Sequence, residues 1–154
     1  MAKSVQKLAK SSKVKKPKKI TYSKAKKDLW TVYSLFIRLT GCIETTGTLD
    51  IGKCFTCERE YAIKKLQAGH WIPGRHILVL FDVRNTHPQC YHCNVGLKGN
   101  PVVYYDKMLA VYGKDICEEL KAKDKPQDKQ YTVAELLVMK EDFEKKIEEL
   151  KNSV

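Results

Sequence analysis

Two C-x-x-C pairs, Cys54-Phe55-Thr56-Cys57 and Cys90-Tyr91-His92-Cys93, stand 32 residues apart and enclose His70, Asn85 and His87, with Asn94 directly after the second pair. A C-x-x-C turn sets two thiolates about 4 Å apart, the bite of a tetrahedral zinc ion, and two such turns supply four sulfurs and close the site to water. The spacing therefore predicts a structural Zn2+ on Cys54, Cys57, Cys90 and Cys93. One pair alone would suit a redox motif as well, and a pair of disulfides is the competing use of four cysteines.

The elements that must hold this stretch follow from periodicity and turn residues. Lys65-Leu66-Gln67-Ala68-Gly69 alternates and reads as a strand leading into His70, and the apolar run Ile77-Leu78-Val79-Leu80-Phe81 reads as its partner, joined through Trp71–His76 with a Pro73-Gly74 turn. Val95–Gly99 is expected as a short helix begun by the second cysteine pair. Upstream, Ser23 is placed to cap a helix running to about Leu39, with Leu29, Trp30, Tyr33, Phe36 and Ile37 at helical spacing and Gly41 ending it. Residues 40–53 read as a loop. Downstream, Asn100-Pro101 starts a helix that Gly113 stops, Lys114–Lys123 is a further helix, and Thr132-Val133-Ala134-Glu135 fits a capping box. Leu136, Leu137, Met139, Phe143, Ile147 and Leu150 then form an apolar stripe, suited to packing on its own domain or to a homodimer seam.

Composition narrows the class. The 154 residues suffice for one modest domain with extensions, and no apolar run approaches the ~20 residues of a bilayer span. Six cysteines without an apolar secretory leader point to a reducing compartment, which favours zinc over disulfides and leaves Cys42 and Cys117 as buried thiols. Charge is uneven: residues 1–28 carry 11 lysines and one acid, so nearly all of the net +11 lies in an N-terminal tail. Such a tail suits a polyanion, and the absence of an apolar helix face beside the lysines favours nucleic acid over membrane.

The order His70, Asn85, then Cys90-x-x-Cys93-Asn94 is similar to that of the HNH nucleases, also called ββα-metal or His-Me fingers. Asp28-Leu29-Trp30 through Leu39, Ala68-Gly69-His70, Asn85-Thr86-His87-Pro88-Gln89-Cys90 and Leu97-Lys98-Gly99-Asn100 resemble the NinG/Rap recombination nucleases of lambdoid phages, over roughly residues 27–150. The resemblance implies an α+β fold with a ββα-metal core, two zinc knuckles and flanking helices. The divisions expected are a basic disordered tail at 1–20, a helix at 21–41, a zinc-stapled HNH finger at 42–100 and a helical region at 101–154.

It also implies a metal-dependent DNA endonuclease acting on branched recombination intermediates, with recombination proteins as partners and the cytoplasm of a bacterial host as its place. A neutral imidazole can take a proton from water near working pH, the role that falls to His70. The carbonyl of Asn85 would orient it, and Asn94 would ligate one Mg2+ or Mn2+, ions that prefer oxygen donors. Many HNH enzymes carry an acid or a histidine just before the base; Gly69 stands there, which leaves the second ligand open among His87, Asp82 and Glu58. Arg75 and Lys98, with Lys15, Lys16, Lys18 and Lys19 of the tail, are the candidates for DNA phosphates. A non-catalytic zinc-knuckle nucleic-acid-binding module, or a recombination accessory protein, fits the cysteines and the tail equally well. Neither explains His70, Asn85 and Asn94.

Overall fold

The computed structural model describes residues 19–73, 76–126 and 131–154. Lys15, Lys16, Lys18 and Arg75 lie outside them, as do most of the expected tail and Gly74 of the expected turn.

Helix α1 spans Tyr22–Thr46 and is capped by Thr21, whose hydroxyl accepts from the Lys24 N–H, rather than by Ser23. It runs through Gly41 and ends at Gly47 (φ 70°), so the expected stop at Gly41 and the loop from residue 40 are both corrected. Gly41 serves packing instead. A Cβ there would lie 2.2 Å from Pro88 Cγ, so only glycine lets the helix approach the strand beneath it. Strands β1 (Ile51–Lys53) and β2 (Glu60–Ala62) follow as an antiparallel ribbon that carries the first cysteine pair between them.

Strand β3 (Leu66–His70) forms where alternation predicts it, but its partner is not Ile77–Phe81. That run folds as the single helical turn α2 (Ile77–Leu80), with the Val79 and Leu80 N–H groups donating to the His76 carbonyl. A short, wholly apolar run does not by itself distinguish strand from helix. The partner is β4 (Thr86–Cys90), antiparallel with Leu66 opposite Cys90 and His70 opposite Thr86. Pro88 is tolerated because, among the described residues, β4 ladders with β3 alone; at Pro88 the carbonyl accepts from the Phe55 N–H (2.7 Å) of the first cysteine turn. The expected helix Val95–Gly99 is likewise shifted: the chain makes a π turn at His92–Gly96.

Helix α3 (Pro101–Lys123) is two helical segments meeting at Gly113 (φ 77°, ψ 172°), as the sequence predicts. Helix α4 (Val133–Asn152) opens on the expected capping box of Thr132 and Glu135. Its stripe turns inward, with Leu136, Phe143 and Ile147 buried and the Phe143 ring 5.1 Å from those of both Tyr33 and Phe36. Helices α1 and α4 thus cover each other within one chain. One core joins α1, β3, α2 and α4 through Ala25, Leu29, Tyr33, Ala68 and Phe81. A second joins α2 to α3 through Ile72, Val79, Tyr104, Met108 and Leu120. Cys42 and Cys117 are buried thiols, and all six cysteines are unbridged, which removes the disulfide reading.

Gly41→Ala tests the helix–strand contact. In an exposed helix this change stabilises by about 1 kcal/mol; here overpacking against Pro88 should instead cost about 1–3 kcal/mol in urea unfolding.

Candidate functional site

The cysteine pairs meet where the two ribbons abut. Their four Sγ atoms lie within 4.8 Å of one another, with Cys57 and Cys90 3.9 Å apart, close to the ~3.8 Å edge of a tetrahedron built on 2.3 Å Zn–S bonds. Three of the four residues are buried and the donors are all thiols, so the set fits a structural zinc ion. Burial pushes the Cys57 and Cys93 thiols up, whereas at Cys54 backbone N–H groups of Cys57, Cys90 and Thr56 and the Thr56 hydroxyl outweigh burial and hold it at about 6.

His70 ends β3 half-buried, stacked on Trp30 of α1 with ring centroids 5.3 Å apart. Its Nε2 lies 2.9 Å from the Leu80 carbonyl oxygen. A carbonyl only accepts, so Nε2 carries the proton and Nδ1 keeps its lone pair. Burial lowers the pKa from 6.5, against the smaller opposing pull of the Leu80 bond, so the ring is neutral at pH 7. The orienting acceptor is thus the Leu80 main chain, not the Asn85 side chain that the resemblance implied. Asn85 is fully buried; its Oδ1 accepts from the Ile72 N–H (2.9 Å), and its Nδ2 donates to the Ile72 and Val79 carbonyls (both 3.0 Å). It ties the chain after β3 to the turn that carries Leu80, and so positions His70 at one remove.

Asn94 enters the π turn one residue after the last cysteine and donates from Nδ2 to Gln67 Oε1 (2.8 Å). A shallow depression of about 280 Å³ is lined by Ala68, His70, Pro73, Asn94, Lys98 and Gly99. The expected base, the expected metal ligand and one expected phosphate ligand therefore share a surface. Beside it Gln89, fully buried on β4, donates from Nε2 to Thr56 Oγ1 (3.1 Å) and to the Gly99 carbonyl (2.9 Å). Its Oε1 is buried with no partner among the described residues.

None of the three candidates for a second metal ligand lies on this depression. His87 is sandwiched against Phe55 (3.9 Å), with Nδ1 2.9 Å from the Tyr104 hydroxyl and Nε2 3.0 Å from that of Tyr112. Tyr104 donates onward to the Gly69 carbonyl (2.9 Å), so Nδ1–H must donate to Tyr104 and Nε2 must accept from Tyr112. Both nitrogens are used, and burial pushes this imidazole down to about 4. Asp82 is held by Arg84 (2.7 Å), and Glu58 is exposed and paired with Lys107. His76 pairs with Asp124 at 2.7 Å, and His92 is exposed. Lys19 is exposed. The sequence did not mark three contributors: Trp30, which its spacing placed only on a helix; Leu80, which acts through its main chain and gives no side-chain signal; and Gln89, ordinary in composition.

The purified chain should hold one zinc per four-cysteine cluster by mass spectrometry of metals, and Cys93→Ser should lose the metal and the cooperative unfolding transition. His87 titrates near 4 folded and near 6.5 unfolded, so its contribution is complete above pH 6.5 and falls away as the pH drops toward 4. Wild type should lose up to about 3 kcal/mol across that window, at about 1.4 kcal/mol per unit; His87→Gln should show a shallower slope in thermal unfolding against pH.

Residues 1–153 match the family model described as Bacteriophage Lambda NinG protein. Protein ninG of Escherichia phage 933W is 32% identical over 73 residues, covering 47% of this chain and 35% of that protein. Protein ninG of Escherichia phage lambda is 29% identical over the same shares. The chain thus spans about a third of the length of the curated relatives it matches. No solved structure matches. With the family model covering all but its last residue, the chain belongs to the NinG family of lambdoid phages.

Proposed function

We propose that the chain is an HNH-type, divalent-metal-dependent DNA endonuclease with a structural zinc, acting on branched recombination intermediates such as Holliday junctions. The observation that carries this reading is the shared depression: a neutral histidine with one free ring nitrogen, an asparagine and a lysine, beside a four-sulfur cluster.

His70 Nδ1 takes a proton from water as the oxygen attacks phosphorus and the bond to the 3′ oxygen breaks. Its Nε2–H stays on the Leu80 carbonyl, which fixes the ring and stabilises the cation that forms. Asn85 is a positioning residue that holds the turn carrying that carbonyl. Lys98 offers charge to a phosphate at the rim of the depression. Mg2+ or Mn2+ bound with Asn94 Oδ1 would neutralise the charge that builds on the phosphate and the departing oxygen. Asn94 Oδ1 fits such an ion, since it is a hard oxygen.

The lysine-rich tail suits sequence-tolerant contact with the phosphate backbone, and the preference for branched DNA rests on the family. Paired cuts in a junction call for two copies of the chain. The α4 stripe is spent on α1, so a second copy would meet this one elsewhere or on the DNA.

A nicking assay on a four-way junction, a fork and a linear duplex tests the reading. Zinc-loaded wild type should cut branched DNA with Mg2+ and not when Mg2+ is withheld. His70→Ala should bind as tightly and cut about 10²–10⁴-fold more slowly. The wild-type rate should rise with pH through a value below 6.5 and level off above it, because neutral His70 is the active form. Equal binding without cuts in both proteins would leave a zinc-stapled binding module.

A further inference from the structure

Position 69 carries no side chain, and another residue fills its place. A Cβ built on Gly69 would meet Gln89 Oε1 at 2.1 Å and Asn94 Oδ1 at 3.1 Å. Two side-chain oxygens, one from β4 and one from the turn after the second cysteine pair, thus converge on one point beside the backbone of β3. The orientation of the Gln89 amide is fixed, because the Gly99 carbonyl can only accept and therefore faces Nε2. Oε1 is the atom left over, in a fully buried side chain and without a donor among the described residues. An amide oxygen buried this way is costly unless something positive approaches it. Asn94 spends its Nδ2 on Gln67, which leaves Oδ1 free on the same side.

We propose that Gln89 Oε1 is the second protein oxygen of the divalent-ion site, replacing from the neighbouring strand the ligand that position 69 lacks. This rests on the reading of Asn94 as a ligand given above. It explains why glycine is required before His70: any larger residue would displace the oxygen. Among the described residues, no carboxylate lines the depression. Two neutral amides, with water completing the shell, hold a hard dication on their own, and a phosphate that joins them tightens it.

The test is Mn2+ titration of the zinc-loaded full chain, followed by paramagnetic broadening of side-chain amide NMR signals. Zinc stays on its thiolates, which Mn2+ does not favour. In wild type the Gln89 and Asn94 amides should broaden first and that of Asn152, at the end of α4, last. In Gln89→Met, Asn94 should need at least about tenfold more Mn2+. Combining Gly69→Asp with Gln89→Ala, which vacates the space and returns an oxygen to position 69, should restore the response. If Gln89→Met does not fold, the wild-type order of broadening and the double variant decide. Asn94 broadening unchanged in folded Gln89→Met, or unrestored in the double variant, would overturn the assignment of Gln89 while leaving Asn94 in place. No selective broadening of Asn94 in wild type would overturn the ion site as a whole, and this assignment with it.

Discussion

A ribbon of two five-residue strands buries too little surface to hold its own shape in water. Everything proposed for this chain depends on the four sulfurs that pin that ribbon. Cys90 ends β4 opposite Leu66, so holding its sulfur against Cys54 and Cys57 fixes where β4 starts relative to β3. A slip of one residue would turn His70 to the opposite face. The same cluster sets Asn94, which follows Cys93 directly, at the edge of β3. Zinc would thus act on the site through register rather than through chemistry.

Two hydrogen-bond systems then hold the two faces of the ribbon. On one, His70 leans on Trp30 of α1 and is steered by the Leu80 carbonyl, whose turn Asn85 clasps from below. On the other, His87 links α3 to the ribbon through Tyr112, Tyr104 and the Gly69 carbonyl. The two histidines sit on neighbouring rungs of the ribbon and differ in kind: both are neutral at pH 7, but one keeps a nitrogen free and the other spends both. That difference in hydrogen-bond accounting separates a candidate base from a structural strut.

The cysteine cluster, the strand into His70, the kink at Gly113 and the capping box were legible in the sequence because each is a short-range pattern with a short-range cause. β4 was not, since Thr-His-Pro-Gln-Cys neither alternates in polarity nor tolerates its proline except on an edge strand. Ile77–Phe81 looked more like a strand, and only its docking between two cores makes it a helical turn. Gly41 read as a stop because the clash it avoids, with Pro88, is distant in sequence. Within the site, His70 and Asn94 stood out by type and spacing. The acceptor for His70 did not, because any residue at position 80 has a carbonyl. Gln89 becomes visible only once its oxygen is found buried, unpaired and occupying the space over Gly69.

The most direct measurement is the anomalous diffraction of crystals of the zinc-loaded chain with a four-way DNA junction and Mn2+, using an inactive His70 variant to keep the DNA whole. The account predicts two metal peaks, one among the four cysteines and one beside Asn94, with a backbone phosphate bridging the second peak and the residue 70 position. A junction bound on another face, with Asn94 and residue 70 far from any phosphate, would contradict it.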